Sequence, residues 1–388
     1  MAKQVKSVGD LDRISTLPDS ILCHIMSFLP TKDAVRTSIL SHRWRYLFPS
    51  MSTLDFDSCL RDLPRRNLNS FWSFVDRLLF FPNQTLKLNI DGEIKVPSNA
   101  CLPNLKTLHL TKLVFVDGSS IFRLISSCHV LEDLALDLCD FYNTTVLSIH
   151  NVSLKSLSLT FLEMVVGSAG DFNYVVEINT PSLVYLRCSE LTAEGYTFSN
   201  MCSLEKAYIS IYPFNVGASA TSSVGRVRGA THLFQAICNV QDLSLFINNA
   251  ETLFGSYIEP GLAFHNLVEL EFFNPDGDWK GAWIVEFLCH VPNLKKLTLD
   301  LGVPKEGFRV VPTEVPSCLL FKLEEIEMAS FEGDEHMFAM VKYLLKHARV
   351  LEKLIVDAYA PCEEQRLCII EEVKRLPRNS KTCEVEIL

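Results

Sequence analysis

A six-residue leucine spacing, L-x-x-L-x-L, keeps returning along this chain and limits what it can fold into. Leu105, Leu108 and Leu110 carry it, as do Leu131, Leu134 and Leu136, then Leu154, Leu157 and Leu159, and Leu294, Leu297 and Leu299. Looser copies begin at Leu183, Leu204, Val240, Leu267, Leu323 and Leu351, so successive starts lie 21 to 36 residues apart. A unit of that size holds one strand and a returning helix or loop, and it buries its apolar side only by stacking on its neighbours. The expected fold is therefore an α/β solenoid, a leucine-rich-repeat horseshoe with parallel strands.

Side chains alternate along a strand, so the leucines point into the solenoid and the residues between them point out on the concave side. Each buried leucine is worth roughly 1.5–3 kcal/mol, which makes those positions structural. Binding chemistry belongs to the outward positions. They turn acidic and aromatic in the middle and later repeats, where Tyr208, Phe246, Glu269, Glu271, Phe273 and Asp300 are the candidate target-binding residues. A partner with basic and apolar groups would suit this set.

Ahead of the repeats, Ile21, Leu22, Ile25, Phe28 and Leu29 follow the spacing of an amphipathic helix. Pro18 suits its entrance and Pro30 its end. Thr31 is expected to cap a second helix with Ala34, Val35, Ile39 and Leu40, and Ser41 a short third one with Trp44 and Leu47. Three short helices cannot bury that many large apolar side chains in one another. A partner, supplemented by the first solenoid turns, is the economical remedy.

The net charge is −10, so the chain has no broad electrostatic attraction to nucleic acid or anionic membrane. Apolar residues make up 48% of the chain, yet no run approaches a membrane span, and Met1 to Asp10 is too polar for a signal peptide. The 13 cysteines are scattered without a C-x-x-C pair, as expected for buried thiols in a cytoplasmic or nuclear protein. Sequons at Asn83, Asn143 and Asn151 fit chance occurrence.

Chemistry-bearing patterns fail when inspected. Asn274, Asp276 and Asp278 begin a calcium-type loop, but Trp279 replaces its turn glycine and Glu286 falls one place late. No zinc spacing, phosphate loop or G-x-S-x-G elbow occurs, so neither metal, cofactor nor catalytic residue is expected. His232, His265 and His290 read as packing or surface groups. Arg36, His42, Arg43 and Arg45 read as the polar face of the N-terminal helices rather than a nucleic-acid patch.

The run from Leu17-Pro18-Asp19-Ser20-Ile21-Leu22 to Asp33-Ala34-Val35, continued by Ser41-His42-Arg43-Trp44-Arg45-Tyr46-Leu47, resembles an F-box. Near the other end, Phe331-Glu332-Gly333, the segment Val341 to Leu354, and Leu376-Pro377-Arg378-Asn379-Ser380 with Cys383 resemble the FBD domain of plant F-box/leucine-rich-repeat proteins. The chain then divides into an F-box (10–55), a linker and solenoid entry (56–100), leucine-rich repeats (101–317) and an FBD segment (318–388) continuing the repeats. Within the entry, Phe71 to Leu79 is expected to be a helix and Leu86 to Ile90 a strand.

The resemblance implies a non-catalytic substrate receptor of a Skp–cullin–F-box ubiquitin ligase. The F-box would dock on a Skp-family adaptor and through it a cullin–RING ligase, through Leu17, Pro18, Ile21, Leu22, Ile25, Leu29, Val35, Leu40 and Trp44. The solenoid would hold an unidentified target protein. The alternatives are a scaffold outside ubiquitination with a vestigial F-box, or a receptor whose target binding needs a small molecule held under loops 163–180 and 212–230.

Overall fold

A computed structural model describes residues 14, 16–37, 39–47, 51, 53–57, 84–94, 96, 102–141, 144–160, 175–189, 195–199, 201–211, 231–247, 261–274, 281–303 and 314–388. Three short helices open the chain: α1 (Asp19–Ser27), α2 (Thr31–Thr37) and α3 (His42–Leu47). Pro18 occupies the cap position of α1, and the backbone N–H of Trp44 reaches the Ser41 hydroxyl at 3.5 Å. Arg43 ties α3 back to the start of α1. Its guanidinium donates to Asp19 Oδ1, at 2.7 Å from Nε, and to the Leu17 carbonyl. The expected role of Thr31 is revised, because its hydroxyl accepts the N–H of Asp55 at 2.7 Å, in the first strand beyond the helices.

That strand, β1 (Thr53–Asp57), starts a 14-stranded sheet. β2 (Gln84–Ile94), β3 (Leu105–Phe115), β4 (Asp133–Asp137), β7 (Ser156–Thr160), β9 (Tyr185–Ser189), β11 (Lys206–Ile211), β12 (Asp242–Ile247), β13 (Glu269–Asn274), β14 (Lys296–Leu301), β15 (Glu325–Phe331), β16 (Lys353–Ala358) and β17 (Glu384–Ile387) follow in that spatial order. A two-residue strand, β5 (Asp140–Phe141), pairs with β3. Every pairing is parallel, for example Leu270 against Leu297 and Leu297 against Ile326. From β4 to β16 each repeat strand starts two residues after its first motif leucine or valine, so that leucine sits in the turn and the next two enter the sheet.

The turns are stitched from repeat to repeat. The N–H of Lys155 donates to the Glu132 carbonyl at 2.8 Å, and Val268 to Gln241 and Glu324 to Lys295 repeat the bond at 2.8 Å. Side chains add to it: Asn293 donates to the His265 carbonyl at 2.8 Å and Ser380 to the Leu351 carbonyl at 2.6 Å. Asn151 belongs to this series, donating to the Cys128 carbonyl at 3.0 Å while its own oxygen accepts the Ser153 N–H. Its sequon thus has a structural use.

The inward side chains of the sheet share one apolar core with the helices Gly118–Ser126, Gly281–Cys289 and Glu335–His347. Edge-to-face packing of Phe272 on Trp283 at 5.1 Å and on Phe287 at 5.4 Å fills it in the later repeats. Cys139, Cys188 and Cys318 lie in the same core, and burial pushes each thiol up to about 12. Every described cysteine is a free thiol. β6 (Val146–His150), β8 (Val175–Asn179) and β10 (Gly195–Ser199) form a second, three-stranded parallel sheet, with β6 packed against the helix Gly118–Ser126. Part of the expected loop 163–180 is therefore strand. Residues 161–174 and 212–230, the expected helix at 71–79 and the calcium-like positions 276 and 278 lie outside the described residues. The fold is a parallel, solenoid-like α/β assembly with helices at its N-terminus.

Candidate functional site

The apolar residues of α1 separate onto two faces. Leu22 and Met26 are fully buried, four residues apart, and join Ala34, Trp44 and Leu47 in a core that runs on into Met51, Leu54 and Phe56. Ile21, Ile25 and Phe28 lie on another side and stay in solvent, with 45%, 38% and 75% of their surface exposed. Ile39 and Leu40, after α2, are 84% and 71% exposed. Burying such large apolar groups would be worth roughly 1.5–3 kcal/mol each, so together they form an exposed apolar patch.

The nine expected adaptor contacts therefore divide. Pro18, Ile21, Ile25 and Leu40 are exposed, while Leu17, Leu29 and Val35 are partly buried against the core. Leu22 and Trp44, also among the nine, are packed inside the chain's own core. Phe28 and Ile39 belong to the exposed set and were not among the nine. Phe28 follows Ile21 by seven residues and Ile25 by three, so the helical period had already placed it on their face.

The sheet's outward side is a second surface. The strand register aligns its side chains in rows, one running Lys87, His109, Ala135, Ser158, Arg187, Tyr208, Ser244, Glu271, Thr298, Glu327. Over the early repeats these groups satisfy one another. The His109 ring meets Asp133 at 2.9 Å, and that hydrogen bond holds the Asp133 carboxyl below the usual carboxylate range. The Arg187 guanidinium lies over the Tyr208 ring at 4.5 Å, so the expected target contact Tyr208 already has a cation on its face. Phe246 is only 8% exposed, packed on Phe273 with ring centroids 5.1 Å apart. Phe273 and Asp300 are partly exposed and register opposite each other on β13 and β14, while Glu269 and Glu271 are exposed on β13.

Other signals resolve into packing. His290 meets the Leu262 carbonyl at 2.6 Å and His232 the Tyr196 carbonyl at 3.2 Å. Arg36 pairs with Asp33 at 3.0 Å. Among the described residues no group of three or more His, Cys, Asp or Glu is placed to hold a metal. No described helix is long and apolar enough to cross a membrane. The arrangement presents two surfaces on one framework, an exposed apolar one on the N-terminal helices and a polar one on the sheet.

The F-box domain profile matches residues 14–55, the leucine-rich-repeat profile of the FBD-associated F-box protein At5g56370 matches 73–207, and the FBD profile matches 311–356. The chain is 30% identical to the F-box/LRR-repeat protein At3g59250 of Arabidopsis thaliana, with 98% of each chain covered. It is 26% identical to the F-box/FBD/LRR-repeat protein At1g78750 of the same plant, covering 100% of this chain and 99% of that one. Likeness of this length assigns the chain to the plant F-box/leucine-rich-repeat proteins with an FBD segment.

Proposed function

We propose that the chain is the substrate-recognition subunit of a Skp–cullin–F-box ubiquitin ligase. Residues 10–55 dock on a Skp-family adaptor, and the repeats with the FBD segment, 101–388, hold a target protein on the concave face of a horseshoe. The complex works in the cytoplasm or nucleus. The observation that carries this reading is the exposed apolar face of Ile21, Ile25 and Phe28, presented by a helix whose adjacent side, Leu22 and Met26, is locked into the chain's own core. An apolar helix face in a hydrophobic groove is an established recognition mode. The rate gain comes from proximity alone: holding the target beside the ubiquitin-loaded enzyme raises its effective concentration, and no side chain of this protein reacts.

Binding of the full chain to a purified plant Skp-family adaptor tests it, with Ile21→Asp/Ile25→Asp as the variant. Both residues are solvent-facing, so the variant should melt within a few degrees of the parent while affinity falls at least a hundredfold, as when charge enters an apolar interface. Unchanged affinity in the variant, or no binding by the parent, would reject adaptor docking through this face.

A further inference from the structure

The outward charges are distributed unevenly along the sheet. Up to β11, Lys106 and Lys155 share Glu132 at 3.2 Å each, His109 meets Asp133, Arg187 covers Tyr208, and Lys206 reaches across to Asp242 of β12 at 2.8 Å. On β12–β15 the outward rows hold carboxylates at Asp242, Glu269, Glu271, Asp300, Glu325 and Glu327, and one ammonium, Lys296. That ammonium is committed to Glu325 at 2.7 Å and Glu327 at 3.2 Å. Among the described residues no cation lies within ion-pair distance of Glu271 or Asp300; Glu269 feels Lys206 only at longer range, since that ammonium is bonded to Asp242, and the Ser244 hydroxyl donates to Glu271 at 2.7 Å.

Apolar surface lies within the same strip. Phe273 follows Glu271 by two residues on β13, stands partly in solvent, and leans on Phe246. Asp300 is its registered neighbour on β14. Along β13 the outward order is Glu269, Glu271, Phe273, spaced by about 7 Å per pair of residues. An extended peptide has the same repeat on one of its sides, so it can match two carboxylates and one aromatic with three alternate side chains.

We propose that the outward face of β12–β15 is the target-docking surface and that it takes an extended, arginine- or lysine-rich segment of a partner protein carrying one large apolar side chain. This inference rests on the receptor reading above and specifies its partner. The cations of the segment neutralise Glu269, Glu271 and Asp300, while the apolar side chain covers Phe273. The early repeats, where Glu132, Asp133 and Lys206 already pair internally and Asp137 is the lone outward carboxylate of β4 without an ion pair among the described residues, contribute no charge-specific contact.

The test uses the full chain bound to its adaptor and a fluorescein-labelled peptide, Arg-Gly-Arg-Gly-Leu-Gly-Arg, followed by anisotropy at low and physiological salt. Glu269→Lys/Glu271→Lys should weaken binding at least thirtyfold and Phe273→Ser about tenfold. Asp137→Lys, on the outward face of β4, should leave it unchanged, and replacing the leucine by glycine should weaken it about tenfold. Thermal melts confirm that each variant is folded. Failure of the parent to bind, equal binding by parent and β13 variants, or equal loss in Asp137→Lys would overturn the proposal. Spermidine competing as well as the peptide would overturn its apolar component. Adaptor binding is read separately on the same proteins. Loss of adaptor binding with retained peptide binding strikes the receptor reading and leaves this surface standing.

Discussion

His109 and Asp133 show what a single outward pair contributes. The ring meets the carboxylate at 2.9 Å with both side chains about one-third exposed, and this hydrogen bond lowers the Asp133 carboxyl despite opposing desolvation. A carboxyl depressed in the folded state stabilises above its unfolded value near 3.9, and that contribution is lost as pH falls through the lower folded value. Solvent screening limits it to less than about 1 kcal/mol. Asp133→Asn should therefore melt slightly below the parent at pH 7, and the gap should close as pH falls through the lowered value of the folded carboxyl. A gap that widens in acid would contradict the assignment. The residues of α1 show the limit of pattern reading at this scale. The helical period marked Ile21, Leu22, Ile25 and Leu29 as apolar, but a helix apolar on two sides does not say which side its own chain will cover. The packing of α1 on α3, and of α2 on β1 beside it, decides that Leu22 goes inside.

At the scale of elements, the repeat strands were legible because the leucine spacing fixes both their phase and their start. The strands β6, β8 and β10 were not. Val175 pairs with Val146 across 29 residues and with Gly195 across 20, and no leucine period announces them. The turn into the helix Glu335–His347 shows a constraint of another kind. Gly333 sits at φ +72°, and a Cβ placed there would come 2.6 Å from Ile369 Cγ1 of the helix Glu363–Arg375. Asp334 then caps the next helix by accepting the His336 N–H at 2.8 Å. Gly333→Ala carries both left-handed strain and a clash, and should cost roughly 1–3 kcal/mol in urea unfolding. A neutral result would mean that the two helices separate more easily than their packing implies.

Across the whole molecule, the F-box helices and the sheet share one core, from Leu22 through Leu54 and Phe56 to Val373 and Cys383 near the far end. The sequence showed that the three helices lacked the means to bury their own apolar groups, and the first strands of the same chain supply much of the missing cover. The Thr31 hydroxyl, 1% exposed, holds the Asp55 N–H across that seam. The amides of α2 and of β1 should accordingly show comparable hydrogen-exchange protection before any adaptor is added. Peptide-like exchange in α2 beside a protected β1 would show that the seam opens alone.

The row register has a consequence for how such a protein changes over generations. The inward apolar side chains fix which residues stand side by side across β3–β16, so an outward residue can be exchanged without moving its neighbours. Substitutions at such half-exposed places usually alter stability by half a kilocalorie or less. The chain is thus laid out like movable type, with a frame that holds the line while single characters are replaced, and a new specificity can be reached through intermediates that all remain folded.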